Sequence, residues 1–90
     1  MRRDLKASAL RRLKIAAGQL RAVERMVEAE EYCVDIIVQL EAVKHALAGV
    51  ERTVLENHLS THVEEQIKSG RTKTAVDEVL KVYALAIKSK

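Results

Sequence analysis

Ninety residues, 48% of them apolar, make a single domain near the lower size limit for a self-sufficient core, so burial against further copies is expected. Two tyrosines are the whole aromatic content, and Ala, Leu, Glu, Lys, Arg and Val dominate, which favours an all-α chain and argues against strands. The net charge of +3 is segregated: eight basic and two acidic side chains lie in residues 1–25, two and nine in residues 26–66, and six and two in residues 67–90. A basic start beside an acidic middle suits a polyanion docking on one face. No apolar run approaches the ~20 residues that cross a bilayer, and Arg2, Arg3 and Asp4 leave no apolar centre for a signal peptide. A cytoplasmic protein with no membrane role is expected.

From about Asp4 to Ala29 the chain reads as an amphipathic helix whose apolar face is Leu10, Leu13, Ala17, Leu20, Val23 and Val27. On a second face Arg11, Lys14, Arg21 and Arg25 repeat at the same spacing, with Gly18 filling the gap. A glycine there lets another backbone approach closely, which a phosphate strand lying along the stripe would use. Gln19 and Arg12 lie beside it as further contacts to phosphate or base edges. A break is expected near Ala29 to Glu31, where Glu28, Glu30 and Glu31 suit the positive N-terminal end of a following helix.

The second helix is expected to run to about Lys68. Its apolar seam, Ile36, Leu40, Val43, Leu47, Val50 and Val54, advances in steps of four and three, as in a helix packed along another helix. Gly49 lowers helix propensity by ~1 kcal/mol, which the seam can offset. Cys33 precedes the seam and His58 follows it, ~37 Å apart at ~1.5 Å per residue, so one straight helix cannot bring them together. Two antiparallel copies crossing near Ala46 and Leu47 would place Cys33 of one beside His58 and His62 of the other, twice by symmetry.

Ser69 and Gly70 end this helix, with Gly70 suited to a left-handed cap. Thr74 with Asp77 resembles a capping box and starts a third, shorter helix with the apolar stripe Val76, Val79, Leu80, Tyr83 and Ile87. Glu78 lies off that stripe. The architecture expected is helix, long helix, short helix.

His58 and His62, four residues apart, can share one metal ion. Cys33 is the single cysteine and cannot form an internal disulfide. One thiolate with two imidazoles suits copper(I), zinc, nickel or cobalt. His45 reads as plain surface. No nucleophile motif, Gly-rich phosphate loop or paired-carboxylate pocket is present in the sequence, so no enzyme and no small-molecule substrate are expected. A metal-binding helical dimer without a DNA role is the reading of a different class.

Three stretches carry a resemblance: RRLKIAAGQLRAVERMVE (Arg11 to Glu28), YCVDIIVQLEAVKHAL (Tyr32 to Leu47) and ENHLSTH (Glu56 to His62). Over nearly its full length the chain resembles the CsoR/RcnR/FrmR transcriptional repressors. The resemblance implies an antiparallel dimer with a four-helix-bundle core, dimers pairing to a disc-shaped homotetramer, and operator double-stranded DNA bound without inducer and released with it. It implies Cys33, His58 and His62 as metal ligands, with Tyr32 and Glu78 supporting them, and Arg11, Arg12, Lys14, Arg21 and Arg25 on the phosphates. Ligation is expected to draw His58 and Glu78 together and so shift the third helix. The commonest copper(I) sensors of the family carry a second cysteine where His62 stands. Its nickel and cobalt sensors share a Cys-His-His core with a further histidine near the N-terminus. Copper(I) is the favoured metal, with nickel, cobalt or zinc as alternatives.

Overall fold

The computed structural model describes residues 1–88, with side chains to residue 86. Every regular element among them is helical: α1 (Arg3–Glu28), α2 (Cys33–His58), a π-helical turn (Leu59–Val63), α3 (Glu64–Lys68) and α4 (Thr72–Lys88). The chain forms two compact units, Met1–Glu56 and a second that starts at Asn57.

In the first unit α1 and the body of α2 form a helical hairpin. Leu5, Ser8 and Arg12 line one groove with Gly49, Thr53 and Glu56, so the two helices run antiparallel from the turn at residues 29–32. That turn is a Schellman motif: Glu31 N–H donates to the Met26 carbonyl at 3.0 Å and Glu30 N–H to that of Val27 at 3.0 Å. Glu30 takes the left-handed position with φ 53°, where a glycine is usual. Glu28 therefore closes α1 instead of opening α2, and Asp35 is the carboxylate in the first turn of α2.

The inward face of α1 differs from the apolar face expected of it. Leu5, Ala9, Ala16 and Val23 are buried, and the line they define in steps of four and three also passes through Arg12, Gln19 and Met26. Leu10, Leu13, Leu20 and Val27 are exposed in the single chain. Small residues face α2 because Ala9 and Ala16 let the two backbones approach, which the larger leucines would not.

The seam of α2 divides in the same way. Val43 is buried at 5%, with Ile36 and Val50 half-buried, whereas Leu40, Leu47 and Val54 remain 38%, 42% and 46% exposed. One set of heptad positions serves the hairpin and the other is left at the surface. Gly49 does not interrupt α2, and Thr53 Oγ1 donates to its carbonyl at 3.0 Å.

In the second unit the helical path continues past His58 but not as plain α-helix. Thr61 Oγ1 donates to the Asn57 carbonyl at 2.6 Å, and Ser60 Oγ reaches the same oxygen at 3.3 Å. With that acceptor taken by hydroxyls, the backbone widens into the π turn before α3 resumes. A second Schellman cap ends α3: Arg71 N–H donates to the Gln66 carbonyl at 2.7 Å, and Gly70 adopts φ 81°, as its sequence position predicts. The last helix begins at Thr72, two residues before the expected capping box, and Asp77 faces Lys73 at 4.0 Å. Ala75, 2% exposed, is the small residue of α4 at its packed face, while Val76, Leu80 and Tyr83 of the expected stripe are exposed. The side chain of Ile87, also placed in that stripe, lies outside the described residues.

Candidate metal centre and basic face

The second unit gathers His58, His62, Gln66 and Glu78. The first three recur every fourth residue, so the π turn and α3 carry them along one side of the chain. The imidazole rings of His58 and His62 have centroids 5.5 Å apart and planes tilted by 34°. His58 is half-buried, and its Nε2 stands 3.1 Å from Glu78 Oε2 of α4. The distance is that of an ion pair, yet the ring N–H does not align with the carboxylate as a hydrogen bond requires. Gln66 Nε2 lies 3.4 Å from both Glu78 oxygens, and its own Oε1 is buried without a partner.

The contact of His58 with Glu78 thus belongs to the fold of a single chain. Their approach, expected to follow ligation, already measures 3.1 Å within the single chain, with the hydrogen bond between them still unaligned. With Nε2 turned to the carboxylate, Nδ1 is the nitrogen left to a ligand, and this division of the two ring nitrogens is the usual one at metal-bound histidines. The donor chemistry fits a metal of soft or borderline character. Among the described residues of one chain, no three His, Cys, Asp or Glu side chains converge into a metal site.

Tyr32 and Cys33 belong to the first unit. Cys33 is the first residue of α2 and is exposed. Tyr32 precedes it, exposed, with its carbonyl accepting from the N–H groups of Asp35 and Ile36.

On α1, Arg11, Lys14, Arg21 and Arg25 are exposed along one stripe. Arg21 Nη2 folds back over Gly18, at 3.8 Å from where a Cβ would stand. Arg12 and Gln19 sit apart from that stripe, on the line facing α2. The Arg12 guanidinium lies over Gly49, and Gln19 is half-buried with an unpartnered Oε1. Arg52 of α2 lines the same groove as Arg12, as does His45. Sequence reading passed over Arg52, one of two basic residues in an acidic segment, and Gln66, whose four-residue spacing from His62 was the available signal.

A basic first helix and, further along the chain, an imidazole pair backed by a carboxylate are the features expected of a helical, metal-responsive regulator. Residues 5–84 match the model of the metal-sensitive transcriptional repressor family, and the chain belongs to that family, whose members are repressors and not enzymes. It is 44% identical over 78 residues to the copper-sensing transcriptional repressor CsoR of Bacillus subtilis (strain 168), covering 87% of this chain and 77% of that one. It is 43% identical over 77 residues to the CsoR of Mycobacterium ulcerans (strain Agy99), covering 86% of this chain and 66% of the longer relative. In structure it is similar to the copper-sensing repressor CsoR with Cu(I) from Geobacillus thermodenitrificans NG80-2. The TM-score is 0.86 at 32% identity, over 97% of this chain and 91% of that one. No helix among the described residues is long and apolar enough to cross a membrane.

Proposed function

We propose that the chain is a cytoplasmic, copper(I)-responsive repressor that holds operator DNA without metal and releases it when copper(I) binds Cys33 of one copy with His58 and His62 of another. The observation that carries the reading is the His58 ring: its Nε2 faces Glu78 at 3.1 Å, its Nδ1 is left to a ligand, and His62 lies alongside. Relatives named as copper-sensing repressors support the choice of metal.

Copper(I), a soft cation, would supply the demand for a thiolate and imidazole nitrogens in one ligand set. Everything else falls to the chain. Cys33 presents its sulfur at the exposed start of α2. His58 turns Nε2 to Glu78 at 3.1 Å, so a change at Nδ1 reaches α4 through one carboxylate. Tyr32, beside Cys33, supports the thiolate side of the site. The exposed stripe of Arg11, Lys14, Arg21 and Arg25, with Arg12 exposed at the neighbouring groove, holds phosphates. Copies pair antiparallel through the exposed Leu40, Leu47 and Val54 line, and dimers pair to a homotetramer. Metal and DNA then oppose each other reciprocally.

Two imidazoles and one thiolate also suit nickel, cobalt or zinc, and a competition titration at matched pH separates these from copper(I). The test of the main reading is an anaerobic copper(I) titration followed by absorbance and by anisotropy of labelled operator DNA. Copper(I) should release the DNA, and Cys33→Ala should abolish the release. An unchanged response in Cys33→Ala removes this site.

A further inference from the structure

Glu78 is shared between two donors, and neither of them holds it well. Gln66 Nε2 stands 3.4 Å from each carboxylate oxygen, near the limit for a hydrogen bond and centred between the two. His58 Nε2 is closer, at 3.1 Å from Oε2, yet its N–H misses the oxygen's line. A carboxylate that faced His58 alone could rotate until Oε2 met the ring N–H. The Gln66 amide bisects the carboxylate and opposes that rotation. Gln66 has no competing use for its amide carbonyl, since Oε1 is buried and unpartnered.

We propose that Gln66 is a positioning residue that keeps the Glu78 carboxylate off the His58 N–H line and so sets how readily the sensing imidazole engages α4. This rests on the copper(I) reading above and goes beyond it, because it names the side chain that fixes the resting state. Ligation through Nδ1 leaves the ring proton on Nε2 and makes it a stronger donor, so Oε2 moves toward His58 as Gln66 loosens. Gln66 thereby sets the cost of the transition. Loss of its amide lets Glu78 pair with His58 before any metal arrives, which moves the resting protein toward its loaded form. Reciprocity gives this an unusual sign: copper(I) should bind more tightly while operator affinity without copper falls.

The test uses the full-length protein and Gln66→Met, which keeps volume and removes both amide groups. In the metal-free protein, nitrogen-15 NMR of the imidazoles should show the His58 Nε2–H shifted downfield and exchanging more slowly than in the wild type. Copper(I) affinity should rise about five-fold, and operator affinity without copper should fall by a similar factor. Gln66→Glu, which sets a like charge against Glu78, should move each readout in the same direction and guards against a folding defect peculiar to the methionine. A purely structural role predicts weaker copper(I) binding with a lower Tm. That result, or a His58 signal unchanged in both variants, overturns the proposal. If copper(I) fails to release DNA from the wild type, the sensor reading falls, and the metal-free NMR comparison still decides the role of Gln66.

Discussion

Gly49 lies beneath the guanidinium of Arg12, where a Cβ at position 49 would stand 3.0 Å from Arg12 Nη1. That atom is the far end of a flexible, exposed side chain and can move aside by the few tenths of an ångström required. The helical gain from replacing a mid-helix glycine, ~0.5–1 kcal/mol, therefore prevails over the contact. Gly49→Ala is expected to raise Tm by a few degrees in thermal unfolding. A lower Tm would mean that Arg12 is pinned in the groove.

Glu30 closes α1 in a left-handed conformation with φ 53°. That conformation costs a non-glycine residue ~1–2 kcal/mol. The opposite cap, at Gly70, has no such cost. Glu30→Gly keeps both Schellman hydrogen bonds and relieves the strain, less the backbone entropy that glycine loses on folding. Stability is expected to rise by about 0.5–1 kcal/mol, read from chemical denaturation with an unchanged m-value.

The basic residues of α1 divide by direction, and salt dependence should separate them. Arg21 and Arg25 lie on the exposed stripe. If each meets one phosphate, Arg21→Ala with Arg25→Ala lowers the slope of log affinity against log salt by about two and weakens binding to all duplexes alike. Gln19 faces α2 with a buried, unpartnered oxygen. Gln19→Leu should leave that slope unchanged and hold or raise Tm, because it removes an unsatisfied polar atom without a change of shape. A slope that falls with Gln19→Leu instead would place this side chain on the DNA.

The helices, their order and both turns were legible because they rest on local signals: periodic apolar spacing, Gly70 at a cap and a charge break at residues 28–31. The inward face of α1 was not, because Leu10, Leu13 and Leu20 outweigh Ala9 and Ala16 in any apolar count although the alanines are what close packing needs. The direction of Gln19 was not legible for the same reason: a polar residue on a core-facing line gives no apolar signal. The π turn depends on one hydroxyl, that of Thr61, finding the Asn57 carbonyl, an event that periodicity does not encode. At the site, His58, His62 and Glu78 were each nameable from sequence. Their contact was expected only on ligation, because the approach of α4 to the π turn and α3 is a matter of packing through Ala75. Gln66 carried the spacing but no chemistry of its own until Glu78 stood beside it.

Leu40, Leu47 and Val54 recur every seven residues on α2 and are left at the surface of the single chain, as are Leu10, Leu13 and Leu20 of α1. Each of these side chains is already about half buried, so covering the remainder stabilises by about 1 kcal/mol apiece, and a second copy laid against this line gathers several such contributions. The antiparallel pairing proposed above places position 47 near the crossing, where a substitution meets its own symmetry mate. Leu47→Glu then sets two carboxylates together in an apolar contact, far from Cys33 and His58 along the sequence. Sedimentation equilibrium should show a monomer for Leu47→Glu, and copper(I) affinity should fall by at least ten-fold although every proposed ligand is intact. An assembly unchanged by Leu47→Glu, with full copper(I) affinity, would mean that Cys33 and the two histidines do not meet across this face.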